Sequence, residues 1–304
     1  MFEVVCAVLL AVALDRFVPE HFRVDPFMWV RAMGEFVAQR FDGDSRAHGT
    51  IALVIVVVVV LIVIVILHFV LGLIAWIFQF AFDVIVLFWC VGLHRLGQRA
   101  EDVVDALQAG EIPVANEKLR TLSGQLSDDL SEPSIAHDTV VAVLKQGNSN
   151  VIAPLFWFAL LGPFGAILQR MTGALSRLWA GDAERAVGFG WATVHLSNLL
   201  DWAPARVTAL SYAAVGSFED ALRCWRDAGD VWSDSADVPL LAAGLGAMQM
   251  KNCEVAAGGD DDEALDLVTA DTTHVQRALA LVWRALLFWL LLVFLLLVFS
   301  LVAS

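Results

Sequence analysis

Residues 195–226 read HLSNLLDWAPARVTALSYAAVGSFEDALRCWR, a patch in which polar groups stand beside apolar, proline-interrupted sequence. His195, Asn198 and Asp201 are three apart, so on a helix they share one side. Asp201 and Arg206 bracket Pro204, which is expected to bend the chain between them, with Trp202 in the bracket. A guanidinium at such a corner can clamp a phosphate or carboxylate with two parallel hydrogen bonds. It can equally pair with Asp201 and merely hold the bend. Polar groups beside lipid are costly and are retained either for a ligand or partner site or for a structural ion pair. Asp83 stands inside an apolar stretch, where a carboxylate is a functional candidate with Arg170 as its expected partner; it can also cap a helix or sit at the interface. The ligand-binding candidates are therefore His195, Asn198, Asp201, Trp202, Arg206, Asp83 and Arg170, with no catalytic residue assigned. His68 is read as a headgroup-level histidine.

Other chemistries find less support. Cys6, Cys90, Cys224 and Cys253 form no CxxC and show no pairing with nearby histidines, so they read as small buried apolar side chains with no metal or disulfide role. A net charge of −14 without a dense basic cluster excludes a nucleic-acid partner. No cofactor is evident from these residues alone.

The elements that must position the candidates belong to a membrane protein. The seventeen residues Ile51 to Leu67, IALVIVVVVVLIVIVIL, carry no charge and no hydrogen-bonding side chain, and as a helix they extend about 25 Å. Apolar sequence resumes to Cys90, so two spans are expected with a turn near Gly72. Residues 4–14 add a short span or re-entrant segment; Glu3 stands where a secretory signal would need positive charge. Residues 151–168, broken by Pro154 and Gly162-Pro163, and 187–216, broken by Pro204, read as kinked embedded segments. Residues 278–303 form a last span, with Arg284 snorkelling at its entry. The expected fold is an all-α integral membrane protein of four to five transmembrane helices with short cytoplasmic helices beneath. Lys and Arg between 16 and 46 and between 95 and 145 place both loops flanking the hairpin in the cytoplasm.

The organisation that follows has an N-terminal membrane segment and hairpin over 1–93 and a cytoplasmic helical region over 94–150. Kinked membrane helices with the core motif occupy 151–216, an acidic soluble region 217–277 and a C-terminal transmembrane helix 278–304. Within 94–150, Val103, Val104 and Leu107, then Ala115, Leu119 and Leu122, predict two helices separated by Gly110 and Pro113. Gly258 to Glu263 reads as a solvated acidic loop. Phe218 to Trp225 looks like half a tetratricopeptide repeat, with no second copy at the right period.

APLFW at 153–157, Gly162-x-x-Gly165, LDWAPAR at 200–206 and G-x-x-E-x-A-x-x-x-W at 216–225 resemble AmpE, a family of inner-membrane proteins tied to β-lactamase induction and cell-wall recycling. The wider superfamily is that of the CobD/CbiB cobinamide-phosphate synthases, whose start LAVALDRF and DPFMWVRAMGEFV also resemble. The likeness covers residues 10–226. Several acids that the synthases carry are replaced: Ser123-Gly124 stands for an Arg-Asp pair, Lys145 to Asn150 for Glu-Asn and Asp-Gly, and Thr172 to Ser176 for Asn-Thr and Asp-Ser. The resemblance thus implies a multi-pass bacterial inner-membrane regulator or sensor without the ancestral catalysis, engaging a small-molecule or protein ligand from the cytoplasm. The alternative it implies is amide formation between an amino-alcohol and a corrinoid carboxylate, with ATP and magnesium.

Overall fold

Every element is helical in the computed structural model, which describes residues 2–17, 27–40, 45–124, 127, 130–181, 183–228, 236–250 and 270–302; no strand occurs among the described residues. In chain order the helices are α1 (Phe2–Phe17), α2 (Phe27–Arg40), α3 (Arg46–Ile74), α4 (Trp76–Cys90), α5 (Leu93–Gln108), α6 (Ile112–Ser123) and α7 (Glu132–Gly147). A π-helical turn, Asn148–Ile152, leads into α8 (Ala153–Leu161), α9 (Pro163–Trp179), α10 (Ala183–Val187) and α11 (Trp191–Val215). Helices α12 (Phe218–Asp227), α13 (Asp237–Ala247) and α14 (Thr272–Val302) complete the order.

The chain divides into two compact units, one of Met1–Gly92 with Ser149–Asp201 and one of Leu93–Asn148 with Trp202–Ser304. In the first, Ser45 caps α3 by accepting from the His48 backbone N–H. Val54, Ile62, Val63, Ile66 and Leu73 along α3 remain exposed. In water each such residue would forgo about 1.5–3 kcal/mol of burial; hydrocarbon removes that cost. The helix packs at its N-terminal end, where a Cβ on Gly49 would lie 1.8 Å from the Phe189 carbonyl oxygen.

The hairpin turns at Ala75, whose extended backbone separates α3 from α4, and not at Gly72. Gly72 is small for another reason: a Cβ there would lie 2.9 Å from Gln79 Oε1. Among the described residues three stretches are long and apolar enough to cross a bilayer, Arg46–Ile74, Trp76–Gln108 and Thr272–Leu295. At nine residues α8 is about 14 Å long, under half the hydrocarbon thickness. The apolar piece of α1, Val5–Asp15, is likewise short.

In the second unit the expected helix pair is present as α5 and α6. Gly110, at φ 74°, makes the turn, and Pro113 sits in the first turn of α6, where its missing N–H costs nothing. Leu96, Val103, Leu107, Leu119 and Leu122 form its buried stripe. Helices α12 and α13 pack so tightly that a Cβ on Gly246 would lie 2.7 Å from the Ala221 Cα. Cys6 and Cys90 are not in a disulfide, whereas Cys224 is disulfide-bonded, against the expectation for the cysteines. The acidic loop expected at 258–263 lies outside the described residues.

Candidate functional site

Pro204 does not break its helix. Helix α11 runs through it for 25 residues, so the interruption expected at Pro204 is absent. A proline without an N–H leaves the carbonyl four residues earlier, that of Leu200, outside the helical ladder. The indole of Trp157 on α8 takes it up, donating from Nε1 to Leu200 O at 2.8 Å. Two separated motifs, APLFW and LDWAPAR, thereby meet through one hydrogen bond.

Beside this junction lies a polar cluster of the first unit. Gln169 on α9 is 3% exposed, and its amide nitrogen donates to Asp201 Oδ1 at 2.9 Å and to the Ser149 carbonyl at 3.2 Å. The next residue, Arg170, donates to the Asn150 side chain from Nη1. Ser149 and Asn150 belong to the π-helical turn, whose extra residue per turn takes carbonyls out of the ordinary i→i+4 ladder. The Asn150 carbonyl is used by the Gly92 N–H at 3.0 Å.

The chain reaches this cluster through a sharp reversal. Gly162 adopts φ 65° and ψ −152°, a region closed to other residues, and starts α9 directly after α8. Gly165 then lets the two helices touch: a Cβ there would be 2.5 Å from the Trp157 carbonyl oxygen. The Gly162-x-x-Gly165 spacing therefore sets the distance between Trp157 and the turn carrying Gln169 and Arg170.

The sequence candidates fall into three groups. Asp201 and Arg170 join the cluster. His195 and Asn198 are exposed; His195 lies against Trp191, ring centroids 4.2 Å apart, and its Nδ1 is 3.0 Å from the Trp191 carbonyl. Asp83 approaches His68, 3.2 Å from Oδ1 to Nδ1, and not the expected Arg170. His68 Nε2 lies 2.6 Å from Gln79 Nε2, an N–H donor, so His68 is engaged between α3 and α4.

Trp202 and Arg206 belong to the second unit. The Arg206 guanidinium lies 3.8 Å from the Trp202 ring centroid and donates to the Trp202 carbonyl at 3.0 Å. In the same unit Thr208 Oγ1 is 2.8 Å from Asn148 Oδ1, and the fully buried Tyr212 donates to the Leu144 carbonyl at 3.2 Å. Lys145, where the resemblance expects an acid, forms an ion pair with Asp237 at 2.9 Å.

Sequence reasoning missed Gln169, Ser149 and Asn150 as partners of Asp201 and Arg170. The available signal was Gln169 itself, a lone amide among Ile167, Leu168 and Met171 on an otherwise apolar stretch.

Among the described residues, no three His, Cys, Asp or Glu side chains converge. The cluster around Asp201 offers one carboxylate, which does not make a protein cage for magnesium.

Comparison with known proteins bears on the rest. The model of the family described as "CobD/Cbib protein" matches residues 8–282. A protein of Stutzerimonas stutzeri named "Cobalamin biosynthesis protein CobD" is 29% identical over 296 residues, covering 95% of this chain and 96% of that protein. A Chromobacterium violaceum protein of the same name is 37% identical over 165 residues, 54% of this chain and 53% of that protein. One from Pelobacter propionicus is 34% identical over 121 residues, 40% of this chain and 38% of its own length. No solved structure matches the chain. These names overturn the expectation of an AmpE-type regulator of β-lactamase induction, whose motifs are shared across the superfamily and do not single out that branch. With a family match over most of its length and helices that can span a bilayer, the chain is a membrane protein that belongs to the CobD/CbiB family.

Proposed function

We propose that this protein is an amide-forming synthase of cobalamin biosynthesis, joining an amino-alcohol to a corrinoid carboxylate with ATP, in the bacterial inner membrane and with its substrates arriving from the cytoplasm. The observation that carries the reading is the likeness to the Stutzerimonas protein along 95% of this chain. In this reading the chemistry is assigned to the buried polar cluster beside the Trp157–Leu200 contact.

Amide formation needs a leaving group on the acid. In this reading the ATP γ-phosphoryl group is transferred to a carboxylate oxygen, giving an acyl phosphate and ADP. The amine nitrogen then attacks the carbonyl carbon, phosphate departs with the former carboxylate oxygen, and the nitrogen gives up a proton. In this reading Asp201 holds the ammonium and takes one proton from it, which frees the lone pair that attacks, and the departing phosphate carries off the second. Arg170 supplies positive charge for an anionic group in the first unit, and Arg206 does so in the second. No step is routed through a metal ion, because the acids absent from Lys145 to Asn150 and from Thr172 to Ser176 leave too few oxygens for a cage.

The test is growth rescue. A corrinoid-requiring bacterial strain lacking its cobinamide-phosphate synthase is expected to grow when this chain is expressed in its membranes. Absence of growth with membrane expression confirmed by blot would overturn the proposal.

A further inference from the structure

Within the first unit, α2, α3, α4 and α9 leave a cavity of about 490 Å³ between them. Its floor is buried: Val30 of α2, Val86 and Cys90 of α4, and Ile167 of α9 are each no more than 9% exposed. Its rim is open, since Val59, Val63 and Leu67 of α3 are 42–57% exposed, and Trp29 and Trp89 flank the mouth at 74% and 42%. No charged, hydroxyl or amide side chain lines it among the described residues. The polar side-chain atoms it offers are two indole nitrogens and the sulfurs of Met33 and Cys90. An ordered water needs about two to four polar partners, so this is not a water site.

The place of this groove along α3 fixes what surrounds it. At the helical rise it starts, at Val59, about 20 Å from Arg46 and stops, at Leu67, about 10 Å from Ile74. Those depths lie within the hydrocarbon layer of about 30 Å, inside the headgroups. Val59 and Val63 also continue the lipid-facing surface of α3 formed by Val54, Ile62 and Ile66. From Val59 to Leu67 the groove runs about 12 Å, which divided into its volume gives a mean cross-section of about 40 Å². An α-helix with its side chains, about 10 Å across, needs about 80 Å². A helix of another copy is therefore too thick to enter, whereas a hydrocarbon chain is not. Left unfilled, the groove would strip its lining of dispersion contacts; a flexible chain restores them by moulding to the walls.

We propose that this groove is a lipid site that takes the acyl chain of a phospholipid from the bilayer, with the headgroup outside the cavity. The proposal is independent of the synthase reading and of the polar cluster. A chain lodged there touches Ile167 of α9, two residues before Gln169 and so on the opposite side of that helix from the cluster.

The experiment uses the full chain in phosphatidylcholine nanodiscs doped with a phosphatidylcholine that carries a diazirine near the end of one acyl chain. After illumination the labelled residues are located by peptide mass spectrometry. Surrounding lipid reaches exposed positions such as Val54 and Ile66, whereas label on the buried floor, at Val86, Cys90 and Ile167, reports a chain inside the groove. The wild type is expected to carry label on that floor. Ala32 lines the groove yet is exposed, so Ala32→Trp fills the space without disturbing the floor. Floor label should then fall about tenfold or more while Val54 and Ile66 are labelled as before. Val63→Trp serves if Ala32→Trp fails to insert, and Ile62→Trp, which does not line the groove, should leave the floor labelled. Label confined to exposed positions in the wild type, or undiminished floor label in the groove variants, would overturn the proposal. Floor label seen in nanodiscs holding one chain and lost in those holding two would assign the groove to a second copy and overturn it as well.

Discussion

Replacing Gly165 by alanine adds one methyl group and should separate two helices. The new Cβ would stand 2.5 Å from the Trp157 carbonyl oxygen and 2.8 Å from the Leu161 Cβ. Both atoms belong to α8 and neither is the free end of a flexible side chain. The closer contact is about 0.9 Å short of an ordinary van der Waals approach, so α8 and α9 must part by most of that distance. Overpacking of this kind costs about 1–3 kcal/mol, which for a chain of this size corresponds to a fall of about 2–5 °C in the thermal midpoint. The effect on activity should be larger than the effect on stability. Gln169 and Arg170 stand one turn beyond Gly165 on α9, while Trp157 ties α8 to Leu200, next to Asp201. A misplacement approaching 1 Å at a reacting centre costs about a hundredfold in rate. The assay is amide formation in membranes, paired with a fluorescence-detected thermal melt in detergent. A Gly165→Ala protein with wild-type rate and midpoint would refute the claim that this contact sets the geometry of the cluster.

Three other perturbations follow from the same geometry. Arg206→Ala is expected to leave the chain in the membrane fraction while lowering amide formation about a hundredfold, and Arg206→Lys should not restore it because the planar stack on Trp202 is lost; growth rescue and fractionation read this out. His68→Leu leaves Asp83 without its partner inside the apolar hairpin and should destabilise by about 3 kcal/mol, whereas the double replacement His68→Leu with Asp83→Leu should cost less, as thermal melts of the purified proteins would record. At the start of α14, hydrogen bonds from the Thr273 hydroxyl, from His274 and from both backbone N–H groups hold the Asp271 carboxyl down at about 2. That depressed value contributes a small stabilisation, present above the ordinary aspartate range near 4 and lost as pH falls through about 2. Hydrogen exchange at the Thr273 and His274 amides should therefore accelerate between about pH 4 and pH 2, and in Asp271→Ala it should be fast at every pH.

The membrane character was legible because the run from Ile51 to Leu67 admits no aqueous solution, and the helix pair α5 and α6 because Gly110, Pro113 and the apolar stripe agree. What misled were residues whose local meaning yields to packing. Gly72 reads as a turn, yet it is small to admit Gln79, and the turn falls at Ala75. Pro204 reads as an interruption, yet a helix of 25 residues passes it because another element takes the orphaned carbonyl. Asp83 and Arg170 are complementary on paper, but each found a partner closer to hand, in His68 and in Asn150. The regulatory expectation came from counting the acids missing between 145 and 176, a stretch whose observed role is to present carbonyls and amides to Gln169 and Arg170.

The bond between Trp157 and Leu200 also bears on descent. A proline in α11 is tolerable only where some donor waits opposite, and an indole in that position of α8 needs an acceptor that an intact helix would withhold. Each residue removes the selective cost of the other. Lineages that lose the proline should therefore shed the tryptophan soon after, so the two motifs, separated by 43 positions, behave as one heritable character.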